Sequence, residues 1–317
     1  MSGAQGWLPQ PEQTELYAST IPRKYKTQLN DLPYDLDKSV YPFRALAELL
    51  KGTSHVKAGR LQALAQGNYG SCTGFAGCRA ADITAACDII NRQENERWPT
   101  GSSGEPILTS PDYVYAASRT VSNQLGRWQG SYGGAVAKAL REYGAVHQQK
   151  YGRYDLSEYS ISRCRSWASR GVPEPVLEQA RKHPFLTTVR VESAEQAVAL
   201  TQNGYGFIIC CNLAWQDRRD EDGFCRRVRP PWSHAQAAGL GYVSLKQGRR
   251  VKRGFLIQNS WGNGWPVGPV GELSDMPYGA YFIRWHDMQA AIGSRDCYAL
   301  ADYHGFQERY NFEGIGW

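Results

Sequence analysis

A change of pattern near residue 185 constrains this chain more than any other feature. Before it, apolar residues recur at helical spacing; after it, short strand-like runs follow one another. The first half holds 41–51 (YPFRALAELLK), with Phe43, Leu46, Leu49 and Leu50 on one side, and 74–92, with Phe75, Cys78, Ile83, Cys87 and Ile90 inward. A Ser110-Pro111 start signal opens a further helix, and AVAKALREYG closes at Gly144. The second half begins with the strand-like FLTTVRV and a helix, SAEQAVALTQNG, between a Ser193 cap and a Gly204 stop. YGFIICCN, HAQAAGLGYVSL, RGFLIQNS, GAYFIRW and CYALADY then read as strands. Helices first and strands second predict an α+β chain of two lobes. The expected division is a lead-in over 1–62, a helical lobe over 63–184, a β-rich lobe over 185–305 and a tail over 306–317. Within the lead-in, 1–35 has weak periodicity and reads as an arm on the surface or a short masking segment.

Ten Trp and nineteen Tyr among 317 residues argue for a packed core rather than disorder. The net charge of +6 is mild, and its densest patches are Arg249-Arg250-Val251-Lys252-Arg253 and Arg226-Arg227-Val228-Arg229. These read as solvated charge between strands, and no specific nucleic-acid motif accompanies them. The start of the chain lacks both a basic cluster and an apolar run, so no secretory signal is expected. The longest uncharged apolar-rich stretch, Tyr205 to Trp215, is too short to span a bilayer. The eight cysteines include no Cys-x-x-Cys pair, which points to reduced thiols in a cytoplasmic or particle-associated setting, with no metal site and no cofactor.

The stretch 66–76, QGNYGSCTGFA, sets a single thiol, Cys72, among glycines at the start of a helix. Such a thiol is either a small buried apolar residue or a nucleophile. A nucleophile needs a stabilised thiolate, a base, a group to hold the base and donors for an oxyanion. Helix-start N–H groups supply the first. Among six histidines, His55, His147, His183, His286 and His304 lie in polar segments, loops or near the end of the chain. His234 instead begins a strand of small residues that lets another surface pack over its ring. Asn259 ends the strand GFLIQNS, where an amide oxygen can accept the imidazole N–H and Trp261 can shield that bond.

Taken in order, QGNYGSCTGFA, SHAQAAGLGY and IQNSWGNGW resemble the three separated motifs of the papain-family cysteine peptidases. The resemblance implies Cys72 as nucleophile, His234 as general base and acid, Asn259 as the residue orienting the imidazole, and Gln66 with the Cys72 N–H as the oxyanion hole. It also implies a papain-like fold, a helical lobe followed by a β-barrel-like lobe, with the cleft between them. GSYGGAVAKALREYGAV resembles the family segment whose backbone meets an extended substrate. Alignment on Tyr143-Gly144 selects Gly130 and Ser131 for that role, while the Gly-Gly pair selects Gly133 and Gly134; both stay open. Trp261 joins them as a candidate substrate contact.

Three departures from the family pattern stand out. Tyr69 replaces a disulfide cysteine, Thr73 replaces the aromatic after the nucleophile and loosens the wall beside the thiol, and Ser233 replaces an Asn or Asp before the histidine. The Cys72-to-His234 separation and the segment PVGPVGELSDMPYGAYFI are longer than usual, with insertions expected near 92–110 and 212–232. A thiol endopeptidase acting on peptide or protein substrates is the expected function. A papain-like scaffold serving as a component of a larger assembly, with little turnover, is the alternative. A thiol enzyme of another acyl-transfer class, amidase or transglutaminase-like, is the third reading. No full-length propeptide is expected, only a short N-terminal arm able to cover the cleft.

Overall fold

The computed structural model describes residues 6–92, 108–301 and 305–309. The expected helix break after Arg92, most of the expected 92–110 insertion, His304 and residues 310–317 lie outside them. Ten helices are present among the described residues: α1 (Pro11–Ser19), α2 (Arg23–Asp31), α3 (Phe43–Leu49), α4 (Cys72–Arg92), α5 (Pro111–Val121), α6 (Gly133–Glu142), α7 (Ile161–Arg170), α8 (Glu174–Ala180), α9 (Ala194–Gln202) and α10 (Trp285–Ile292). Three short ribbons pair β1 (Val56–Lys57) with β2 (Arg60–Leu61), β3 (Lys150–Tyr151) with β4 (Tyr154–Asp155), and β7 (Ala214–Trp215) with β8 (Arg227–Val228).

The main sheet holds β5 (Thr187–Arg190), β6 (Phe207–Cys211), β9 (His234–Gln247), β10 (Arg250–Gln258), β11 (Ala280–Arg284) and β12 (Tyr298–Ala301). Its order is β11-β10-β9-β6-β12-β5, with every pair antiparallel. The two-lobed α+β layout is therefore present. The β lobe is an open six-stranded sheet rather than a closed barrel, since β11 and β5 are its two edges. β9 is buried from His234 to Val243 because it is an inner strand covered by α4, α3 and α9. Its alanines and glycines permit that approach. β6, buried at all five positions, carries the apolar run expected of a strand covered on both faces.

α4 is the joint between the lobes: it packs on β9 and β6 of the sheet and on α5 and α6 of the helical half. The Ser193 hydroxyl caps α9 by accepting from the Gln196 N–H (3.2 Å), as its sequence position predicts. The stretch read as a surface arm behaves differently. Residues 11–31 fold into α1 and α2, with Tyr17 bonded to Thr188 Oγ1 (2.6 Å) and Leu29 in the core. Thr14 and Tyr17 face inward while the apolar Leu16 is exposed, which explains the weak periodicity of this helix. All eight cysteines are buried, unpaired thiols. No helix among the described residues is long and apolar enough to cross a membrane.

Candidate active site

Cys72 opens α4, and the Gly74 N–H returns to the Ser71 carbonyl (2.9 Å) as the first turn forms. His234 opens β9, opposite Cys211 of β6. Asn259 follows β10, where pairing with β9 slips between Leu256 and Gln258. The two motifs before the cysteine and after the asparagine are stitched together. Gln66 N–H donates to the Ser260 carbonyl (2.8 Å) and Gly262 N–H to the Leu64 carbonyl (3.0 Å). Side chains repeat the link, since Ser260 Oγ donates to Gln66 Oε1 (2.6 Å) while Gln66 Nε2 donates to the Tyr69 carbonyl (2.9 Å).

His234 Nε2 lies 2.8 Å from Asn259 Oδ1. An amide oxygen only accepts, so Nε2 carries the proton and Nδ1 is the lone-pair nitrogen of the neutral ring. Nδ1 is buried and has no hydrogen-bond partner among the described residues. Asn259 Oδ1 also accepts the Ser260 N–H (2.7 Å), which fixes the amide. Trp261 lies 4.9 Å from the imidazole, ring centre to ring centre, and packs against Trp232 and Trp265 at 4.8 Å each. These indoles keep water from the His234–Asn259 bond, so it acts in a medium of low polarity.

The backbone N–H of Ala235, next to His234, reaches the Cys72 sulfur across the lobes, as do those of Gly6, Thr73 and Cys72 itself. Burial pushes the thiol up to about 12 despite these donors, and burial takes the imidazole down to about 4 against the pull of Asn259. Both groups therefore rest uncharged near neutral pH. Iodoacetamide consumes thiolate, so its rate on Cys72 of the intact chain is expected to rise about tenfold per pH unit from pH 7 to 9. A plateau near pH 7 would show a thiol already ionised in this state.

The cover responsible for this burial is the N-terminal segment itself. Leu8 N–H donates to the Ser131 carbonyl (2.8 Å), Ser131 N–H to the Gly6 carbonyl (2.9 Å), and Trp7 N–H to the Ser233 carbonyl (3.3 Å). Residues 6–8 thus lie as a parallel bridge between the Ser131 backbone and the residue before His234. Gly6 sits so close to Gly70 that a Cβ on it would overlap the Gly70 carbonyl. Gly6 turns an N–H to the sulfur while its own carbonyl is held by Ser131, so this peptide is not posed for attack.

Gly130 (φ +117°) leads into Ser131 from a conformation that side chains avoid, and its missing Cβ leaves room for Leu8. Gly133 and Gly134 start α6 instead, and their N–H groups go to the Asp296 carboxylate (2.7 and 2.9 Å). Behind this wall, the buried Arg119 donates to the carbonyls of Gln124, Arg127, Trp128, Gly130 and Ala168. Arg119→Ala strands these carbonyls, and urea unfolding is expected to show a loss of about 3 kcal/mol or more. A loss below about 1 kcal/mol would mean that the loop holds itself.

Tyr69 is buried with Tyr115, Cys164 and Ala168, so an aromatic cluster occupies the position of the family's disulfide cysteine. Thr73 is wholly buried. Sequence reasoning did not single out Trp232, Ser260, Asp296 or the part played by Ser233's carbonyl. Ser260 and Trp232 adjoin named motif residues, whereas Asp296 carries no local signal. Residues 250–253 of the basic run border a separate cavity of about 510 Å³ with Arg284 and Trp285. Part of its charge is matched, Lys252 by Asp220 and Asp222 and Arg253 by Asp37.

Comparison with known proteins found no matching family model and no matching curated protein. Solved structures do match. Xylellain, a cysteine protease from Xylella fastidiosa, aligns with a TM-score of 0.56 at 16% identity over 95% of this chain and 96% of its own. Procathepsin B S9 from Trypanosoma congolense aligns with a TM-score of 0.55 at 11% identity, over 94% and 86% respectively. The chain has the fold of the papain-like cysteine proteases.

Proposed function

We propose that this chain is a papain-like cysteine endopeptidase, held latent by its own residues 6–8. The observation that carries the reading is the His234–Asn259 bond, which commits Nε2 and leaves Nδ1 as the base, beside a thiol already touched by the Ala235 N–H. With the arm withdrawn, Nδ1 takes the Cys72 proton and the thiolate adds to a substrate carbonyl carbon. The oxyanion receives hydrogen bonds from the Cys72 N–H and Gln66 Nε2. Collapse breaks the C–N bond as Nδ1–H protonates the leaving amine, and a thioester remains. Water then loses a proton to Nδ1, adds to the thioester and releases the acid with the thiol restored.

Gly130 and Ser131 are our assignment for the substrate-facing backbone, because Ser131 already binds an extended peptide through both its N–H and its carbonyl. Latency explains why a nucleophile would be fully buried. The test is hydrolysis of an unfolded protein such as reduced, alkylated casein by a chain whose arm has been displaced, and its loss in the Cys72→Ala variant of that chain. Absence of cleavage in both would favour a binding scaffold with this fold.

A further inference from the structure

The far end of the β9–β10 hairpin carries an open strand edge. Both strands run on to the turn between Gln247 and Arg250, which puts Lys246 roughly 40 Å of strand away from His234. Tyr242 of β9 exchanges two main-chain bonds with Val40 (2.9 and 2.8 Å), and the Ser244 N–H goes to Ser39 Oγ (2.9 Å). Their backbone therefore turns away from β10, and that of their register partners Phe255 and Arg253 turns away from β9. Val251, two residues on, follows the same alternation. β11 pairs with β10 only as far as Gly254, opposite Arg284, before the chain turns into α10. The N–H and C=O of Val251 thus point to the open side, where residues 250–253 border the cavity with Trp285 and Leu36.

The two faces of this edge differ. Val251, Arg253 and Phe255 share one face, on which Trp285 packs on Phe255 (5.8 Å between ring centres) and Asp37 matches Arg253 (2.8 Å). Val251 is 43% exposed there. Arg250, Lys252 and Gly254 share the other face with Arg284, which stands opposite Gly254. Lys252 is matched by Asp220 and Asp222 (3.1 and 2.8 Å), whereas Arg250 and Arg284 meet no carboxylate among the described residues.

We propose that this edge takes an extended acidic segment of a partner protein as an added strand. Its main chain bonds to Val251, its carboxylates meet Arg250 and Arg284, and its apolar side chains lie on Val251 and Trp285. Main-chain bonds supply the affinity and alternate side chains the specificity. Charge selects the occupant, because a second copy of the same edge would set arginine against arginine. The partner is held at the opposite end of the hairpin from His234, outside the cleft, and its docking does not depend on turnover.

The test uses the full chain with residues 6–8 in place. A fluorescent peptide of alternating glutamate and valine is titrated by polarisation at pH 7. Beside it run its glutamine–valine counterpart and a peptide with the same glutamates and valines sorted into two blocks. The alternating acidic peptide is expected to bind at least about fivefold more tightly than either. Arg250→Gln combined with Arg284→Gln is expected to bring it within about twofold of the glutamine peptide. Val251→Pro removes the outward N–H without touching the bonds to β9. With the fold checked by circular dichroism, it is expected to weaken binding by at least about fivefold. Equal affinity for the glutamate and glutamine peptides overturns the proposal, as does binding that Val251→Pro leaves unchanged. An oligothymidylate that binds more tightly than the peptide, and loses that affinity with the two arginines, assigns the groove to nucleic acid and overturns it as well.

Discussion

Replacing Gly6 by valine is expected to convert a nearly silent chain into an active one, raising kcat/KM on a peptide substrate by at least about tenfold. A Cβ at residue 6 overlaps the Gly70 carbonyl, which belongs to the motif around the thiol and cannot yield without moving the start of α4. The arm must therefore lift. Its grip consists of three backbone bonds and the buried Trp7 with its bond to Asp296. Each such bond contributes about 1 kcal/mol net, and every 1.4 kcal/mol is a factor of ten in the open population. Deleting residues 1–35 would be a poorer experiment, because it also removes Tyr17 and Leu29 from the core. Unchanged activity in Gly6→Val, with the fold intact by circular dichroism, would show that the arm does not control access.

The second large effect concerns the base. In the arm-displaced chain, His234→Ala is expected to lower kcat/KM by about 10³-fold or more, since proton transfer both activates the thiol and releases the amine. Asn259→Ala is expected to act in the same direction with a smaller loss, because the imidazole survives but its ring and tautomer are no longer fixed. The distinguishing readout is the pH profile. Loss of His234 removes the inflection that belongs to the base, whereas a purely structural role for this residue would lower activity equally at every pH. His234 Nε2 and the Ser260 N–H share Asn259 Oδ1, while Ser260 Oγ donates to Gln66, so Ser260→Ala tests whether the Gln66 contact is separable from the histidine's orientation.

Much of this arrangement was legible because the chemistry restricts residue types locally. A thiol set after Gln66 among three glycines, a histidine opening a strand of small residues, and Asn-Ser-Trp-Gly each say something alone, and their order says more. The sheet was legible as well, since β6 and β9 to β11 carry apolar runs bounded by turn residues. The remainder works through main-chain atoms or across long separations. Residues 6–8 hold the cleft with backbone groups, for which sequence offers no code. Asp296 caps α6 from 163 residues away and meets Trp7 across 289, so neither neighbourhood hints at it. The choice between two glycine pairs was undecidable by eye because both are backbone devices, one facing the arm and the other starting a helix.

The most direct measurement is competitive alkylation of the eight thiols of the Gly6→Val chain with iodoacetamide at pH 7, read site by site in a mass spectrometer. A catalytic Cys72 predicts that this thiol reacts first, at least about 100-fold faster than the other seven, and that His234→Ala abolishes its lead. Labelling of Cys72 at the pace of the buried Cys78, Cys87 and Cys164, with or without His234, would contradict the assignment of a nucleophile at this site.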